Sequence, residues 1–193
     1  MSSLVSAPRS ATVSAPTNIA VIKYWGKASL SLNTPINSSV SLTLSQDTLR
    51  SVTTAMLLPQ ESGTNKLWLN GAEEDITANK RFQACIEGIR ALSTLTDPAL
   101  KNASVHISSM NTFPTAAGLA SSAAGYAALV HALVQVFEAK EQYPNQFSTI
   151  ARQGSGSASR SLYGGLVKWN MGGEKVRKSD GDTKNIIRGS SSG

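Results

Sequence analysis

The chain is poor in the residues that staple or metallate small proteins. One cysteine, Cys85, among 193 residues excludes an internal disulfide. Two histidines, His106 and His131, beside that lone thiol are too few for a dedicated zinc site. No apolar run reaches the roughly 20 residues that a membrane-spanning helix needs. Residues 1–10 lack the apolar block of a secretory signal; their Ser, Ala and single Arg leave an organellar transit peptide open. The scarcity of cysteine points to a reducing compartment, so the cytoplasm is the expected location. Acidic residues are outnumbered 12 to 18, a net charge of +6, yet a nucleic-acid stripe is missing as well. Residues 175–193 hold five basic residues against two acidic ones, half of the excess, and the remainder is scattered without interleaved aromatics. Neither a membrane nor a nucleic acid is the expected partner. A few well-placed cations suit a phosphorylated small molecule better.

What is present supports a folded core: hydrophobic residues make up 40% and charged residues 16%. Residues 1–10 read as a flexible N-terminus, 11–171 as one domain, and 172–193 as a largely disordered tail, because apolar residues thin out after Trp169. Ala11 to Tyr24 is β-rich and broken by Pro16. Ser39–Leu44, Arg50–Leu57 and Ser104–Ser109 alternate as half-buried strands do. Lys66–Leu69 runs into Asn70-Gly71, a tight-hairpin signal. Thr77 is the expected N-cap of a helix whose apolar stripe is Phe82, Ile86, Ile89 and Leu92; Cys85, beside it, reads as a small buried thiol. A long helix is expected from about Ala120 to Phe137, with one wide core stripe, then a short helix over Gln146–Arg152 and a strand over Gly165–Trp169. Paired strands precede helices without βαβ alternation. The expected class is therefore α+β, a two-layer sandwich with helices on one side of a mixed or antiparallel sheet.

Three segments carry chemistry. The first is Pro114-Thr-Ala-Ala-Gly-Leu-Ala-Ser-Ser122, tiny residues running into the long helix. Such a loop lets a ligand approach the backbone, and the helix start offers free N–H groups and a positive dipole end, together a phosphate site. Ser121 and Ser122 add hydroxyls able to reach a magnesium ion; an ordinary Ser cap before a core helix is the other reading. The second is Asn18-Ile-Ala-Val-Ile-Lys-Tyr-Trp-Gly-Lys27. Lys23 and Lys27 share a face only if the chain stays extended, and Gly26 favours a bend; a strand edge with solvated lysines is the alternative. The third is Gln153-Gly-Ser-Gly-Ser-Ala-Ser-Arg160, where Arg160 offers a rigid fork for carboxylate or phosphate and a flexible connector is the alternative. A Walker loop is excluded by Val21, and a dinucleotide fingerprint by Ser159.

Taken in order, these segments, with Asn-Ser-Ser-Val-Ser-Leu-Thr-Leu-Ser45, resemble the diphosphomevalonate decarboxylases of the GHMP kinase superfamily over residues 11 to 171. The resemblance implies the N-terminal domain fold of that superfamily, an α+β topology also found in ribosomal and translation proteins. It implies ATP-dependent decarboxylation of mevalonate 5-diphosphate to isopentenyl diphosphate in isoprenoid and sterol biosynthesis, with ATP and Mg2+ as cofactors. By the same resemblance Asn18 and Arg160 are catalytic, Arg160 orienting the carboxylate. Tyr24, Trp25, Gly26, Lys27 and Arg81 meet the substrate, as do Ser155, Gly156, Ser157, Ala158, Ser159 and Arg160. Pro114, Ala117, Gly118, Leu119, Ala120, Ser121 and Ser122 hold the nucleotide, with Ser122 on the metal. Full-length relatives are expected to form homodimers.

Two departures accompany the resemblance. Ser159 stands where the family usually has Cys. The family's C-terminal domain, with its aspartate near the substrate hydroxyl, has no counterpart here, and Asp180 and Asp182 lie in a polar stretch that does not match it. The chain is therefore expected to be a truncated form, inactive alone. The alternatives are a superfamily kinase that stops at phosphorylation and a non-catalytic nucleic-acid or protein-binding module.

Overall fold

A computed structural model of the chain describes residues 6–30, 32–59, 64–114 and 121–171, and the backbone of 183–185. Strand β1 (Arg9–Pro16) is followed at once by β2 (Asn18–Ile22), then β3 (Ser39–Thr43) and β4 (Arg50–Leu58). Next come the hairpin β5 (Lys66–Leu69) and β6 (Ala72–Glu74), helices α1 (Lys80–Arg90) and α2 (Pro98–Lys101), and β7 (Ser104–Asn111). Helices α3 (Ser121–Phe137), α4 (Gln146–Gly154) and α5 (Ala158–Ser161) precede β8 (Leu166–Trp169) and β9 (Thr183–Asn185).

The strands form two sheets, ordered β1-β4-β7-β5-β6 and β2-β3-β8-β9. All described pairings are antiparallel except β5 with β7. The α+β class stands, but the expected single sheet divides at the Pro16–Thr17 junction. Pro16 ends the edge strand β1 opposite Arg50, where a missing N–H costs little. Thr17 then stitches the two sheets: its N–H donates to Leu49 O at 3.1 Å and its carbonyl accepts from Leu44 N at 2.9 Å.

The core follows from strand alternation. Ala55 and Leu57 of β4, Val105 and Ile107 of β7 and Leu67 of β5 turn one face inward against Phe82, Cys85, Ile86 and Ile89 of α1 and Leu129, Val130, Leu133 and Phe137 of α3. Helix α3 is buried nearly all round rather than along one stripe, because its many alanines let strands and neighbouring helices approach every face. The Asn70-Gly71 hairpin is as its residues imply, with φ of +50° and +85°. The expected cap Thr77 is displaced by Asn79, whose side chain accepts from Phe82 N. Thr77 instead donates through its N–H and hydroxyl to Asp75 Oδ1, at 2.8 and 2.6 Å. Those bonds hold the Asp75 carboxyl below its ordinary value. Helices α2 and α5 lie in stretches with no apolar period to reveal them. Within the stretch expected to be disordered, 183–185 pair with β8; 172–182 and 186–193 lie outside the described residues, as do 1–5.

Candidate active site

A cavity of about 480 Å³ opens where β2, α5 and the β3–β4 connection meet, and its wall includes Thr17, Asn18, Lys23, Tyr24, Ser157 and Arg160. Asn18 opens β2 and Arg160 sits on the four-residue α5, 142 residues later, yet their side chains interlock. Asn18 Nδ2 donates to Ser161 Oγ at 2.7 Å and to Ser157 O at 3.2 Å. Arg160 donates to Asn18 Oδ1 through Nε and Nη2, at 3.4 Å each, and to Ser39 Oγ through Nη1 at 2.9 Å. The guanidinium lies 5.5 Å from the Tyr24 ring and 5.7 Å from the buried Trp169 ring. Those two rings meet edge-on at 4.8 Å. Among the described residues no carboxylate pairs with Arg160, although it is only 2% exposed. Burial lowers its pKa, and its attraction to Tyr24 acts the other way. Arginine stays charged under such shifts, so the cavity holds a desolvated cation without a counter-ion. Such an arrangement suits an anion, and its planar fork matches a carboxylate.

A second cavity, about 370 Å³, lies between the β5–β6 turn, the end of β7 and the start of α3. Asn70, Asn111, Phe82, Ser121, Ser122 and Tyr126 contribute to its wall. Ser121 and Ser122 open α3 and stand in this wall, so the positive end of the helix dipole lies toward this space. A chain of hydroxyls runs from one cavity wall to the other. Ser122 Oγ is 3.3 Å from Ser155 Oγ, which is 3.3 Å from Ser157 Oγ in the wall of the first cavity. Glycine makes this junction possible. A Cβ on Gly154 would lie 2.1 Å from the Tyr126 ring, and one on Gly156 would lie 2.9 Å from Tyr24 Oη.

Of the residues picked out from sequence, the structure gathers Asn18, Tyr24, Ser155, Gly156, Ser157, Arg160, Ser121 and Ser122 around this junction. Ala158 and Ser159 are buried in α5, and Ser159 Oγ donates to Gly156 O at 2.9 Å, which shapes the loop from behind. Gly26 has φ +59°, the bend its residue type favours, and the chain turns away there. Trp25 is 69% exposed, with its N–H on Asn37 Oδ1. Lys27 is exposed and outside the cavity wall, whereas Lys23 is in it. Arg81 is not brought to this cavity; it lies in a shallow groove with Glu74, Asp75, Lys80 and Tyr126. Pro114 is exposed, and Ala117, Gly118, Leu119 and Ala120 lie outside the described residues. Thr17 and Asn111 were not singled out from sequence, and Ser39, Asn70 and Tyr126 read there as parts of a strand, a turn and a helix rather than as site residues. Asn70 carried a turn signal and Tyr126 a core signal, which masked their place at a cavity.

Among the described residues no cluster of His, Cys, Asp and Glu could hold a metal by itself. The donor set does fit magnesium carried on phosphates, which needs few protein oxygens; the Ser122 hydroxyl would be one. Cys85 is fully buried, and burial pushes its thiol up to about 12, so it is no nucleophile. Neither histidine lines either cavity.

Comparison with known proteins agrees with this geometry. The sequence model for the diphosphomevalonate decarboxylase-like N-terminal domain matches residues 15–181. The diphosphomevalonate decarboxylase of Schizosaccharomyces pombe is 54% identical over 167 residues, which are 83% of this chain and 42% of that protein. The solved mevalonate diphosphate decarboxylase from Trypanosoma brucei superposes with a TM-score of 0.81 at 43% identity, over 93% of this chain and 46% of that one. The mevalonate diphosphate decarboxylase from Enterococcus faecalis, in a structure concerned with a mevalonate diphosphate mediated ATP binding mechanism, has a TM-score of 0.75 at 36% identity over 94% of this chain and 52% of that one. The chain thus spans about half the length, or less, of the proteins it matches. With its two cavity walls linked by a chain of serine hydroxyls, and with this likeness over most of its length, the chain belongs to the diphosphomevalonate decarboxylase-like family, in the part that forms the N-terminal domain.

Proposed function

We propose that this chain binds and orients ATP and mevalonate 5-diphosphate for ATP-dependent decarboxylation to isopentenyl diphosphate, in cytoplasmic isoprenoid and sterol biosynthesis. In this reading ATP with Mg2+ supplies the phosphoryl group that turns the tertiary 3-hydroxyl into a leaving group. The chain's own residues do the positioning. The start of α3, with Ser121 and Ser122, holds phosphate oxygens, and Ser122 is the metal-facing hydroxyl. Arg160, fixed by Asn18 and Ser39, takes the carboxylate. Lys23, Tyr24 and the Ser155–Ser157 loop receive the rest of the substrate. Lys27 and Arg81 serve the diphosphate only if the Gly26 bend and the start of α1 shift toward the first cavity. Cations and N–H donors offset the repulsion between two polyphosphates as the phosphoryl group passes. The full reaction and a homodimeric state are proposed for a protein of the relatives' length.

The Ser122–Ser155–Ser157 contact carries this reading. In this reading it links the helix start that holds phosphate to the cavity whose wall carries Arg160. Calorimetric titration of the 193-residue chain tests it, with magnesium and a non-hydrolysable ATP analogue in the presence and absence of mevalonate 5-diphosphate. The expected result is binding of both, each strengthening the other. Folded chain that binds neither refutes the proposal.

A further inference from the structure

Thr17 is the one residue of the first cavity with a buried side-chain polar atom that meets no partner. Both of its backbone groups are satisfied, by Leu49 O and Leu44 N. Its hydroxyl is not: Thr17 is 2% exposed and Oγ1 has no hydrogen bond. Asn33 and Ser41 also hold unpaired buried side-chain oxygens, but neither lines either cavity. A buried hydroxyl without a partner destabilises a protein, and valine would fill the same shape without that cost. The sheet junction at Thr17 is built by backbone bonds alone, so the fold gives the hydroxyl no use.

The surroundings do. Thr17 precedes Asn18, whose Oδ1 accepts from Arg160, and it shares the cavity wall with both. Arg160 brings a positive charge for which the described residues provide no carboxylate. A threonine hydroxyl is a single donor suited to one oxygen of an anion whose charge is met by a neighbouring guanidinium. We infer that Thr17 is a substrate-binding residue whose hydroxyl donates to the ligand carboxylate held by Arg160. This rests on the function proposed above and adds a contact to the same site.

The test is Thr17→Val and Thr17→Ser in the 193-residue chain, read by calorimetry and thermal unfolding. Three ligands separate the groups: mevalonate 5-diphosphate, its 3-deoxy analogue (carboxylate kept, hydroxyl absent) and isopentenyl diphosphate (both absent). Thr17→Val weakens the first two by about tenfold, as loss of a hydrogen bond to a charged group does. It leaves isopentenyl diphosphate within about twofold and raises the unfolding midpoint by about 2–4 °C. Thr17→Ser keeps the parent affinities. Unchanged binding of the carboxylate ligands by Thr17→Val overturns the inference, as does equal loss on all three ligands. A lowered midpoint also overturns it, because it shows that the hydroxyl already had a partner in the protein. If the unaltered chain binds none of the three, the proposed function falls and this inference with it; if it binds and Thr17→Val does not differ, only Thr17 is reassigned.

Discussion

Gly154→Ala places a single methyl group against the Tyr126 ring, next to the hydroxyl chain that runs through Ser155. The new Cβ would sit 2.1, 2.5 and 2.8 Å from Cδ1, Cε1 and Cγ of Tyr126. Carbon atoms need about 3.5 Å, so the ring or the loop must move by about 1.4 Å. Tyr126 has little room. Its ring packs on Phe82 at 4.8 Å, and its hydroxyl reaches Asn79 Oδ1 at 3.4 Å. Overpacking of this kind costs about 1–3 kcal/mol. Alanine at the last residue of α4 returns at most about 1 kcal/mol of helix propensity. A clash this deep against a hemmed-in ring belongs at the upper end, about 2–3 kcal/mol, so the net loss is about 1–2 kcal/mol, and for a chain of this size each kcal/mol lowers the midpoint by about 2–4 °C. Thermal unfolding followed by circular dichroism measures it. Tyr126→Ala alone costs about 3–5 kcal/mol, but in the double variant the clash is gone, so the two losses must sum to more than the pair shows. A midpoint for Gly154→Ala at or above the parent, or strict additivity with Tyr126→Ala, refutes the packing argued here. Ser155 follows Gly154 directly, so the same displacement parts Ser155 from Ser122 and lowers affinity for the ATP analogue.

Two further outcomes are expected. Asn33 has φ +50° and donates through Nδ2 to Arg152 O at 2.9 Å and Gln153 O at 3.0 Å, tying the turn before β3 to the end of α4. Asn33→Ala loses both bonds and strains the left-handed backbone, costing about 2–3 kcal/mol in chemical denaturation, whereas Asn33→Gly removes the strain and costs less; equal losses would sink the strain argument. Burial pushes the Cys85 thiol up to about 12 in the folded chain, against an ordinary 9.0. Between those values the unfolded chain gives up the thiol proton and the folded chain keeps it, so stability falls as pH rises through that window. A thiol reagent at pH 8 should label Cys85 only upon unfolding; rapid labelling of native protein would contradict its burial.

The local signals in this chain were readable because they are short-range. Asn70-Gly71 encodes its own positive φ angles, Pro16 encodes a strand end, and the alternation in β4 and β7 encodes which face is buried. The misreadings share the opposite character. Thr77 has the right chemistry for a cap, but Asp75 two residues earlier captures both its N–H and its hydroxyl, and Asn79 takes the role. The division into two sheets rests on pairing partners more than twenty residues from the Pro16–Thr17 junction, which periodicity does not carry.

The site shows the same split between local and distant information. Small residues at 114–125 and 153–159 announce that something approaches the backbone, and that much is local chemistry. Asn18 and Arg160 are an asparagine on a strand and an arginine after serines; only the fold makes them partners, through bonds spanning 142 positions. Resemblance named both residues because it stores such distant pairings, and it also named Arg81, which this structure keeps in another groove. It passed over Thr17, whose only signal is a hydroxyl left unpaired in a wall that is otherwise satisfied or charged. An unpaired buried donor has no sequence signature. It becomes visible when every neighbour's hydrogen bonds are counted, an observation that the resemblance did not supply.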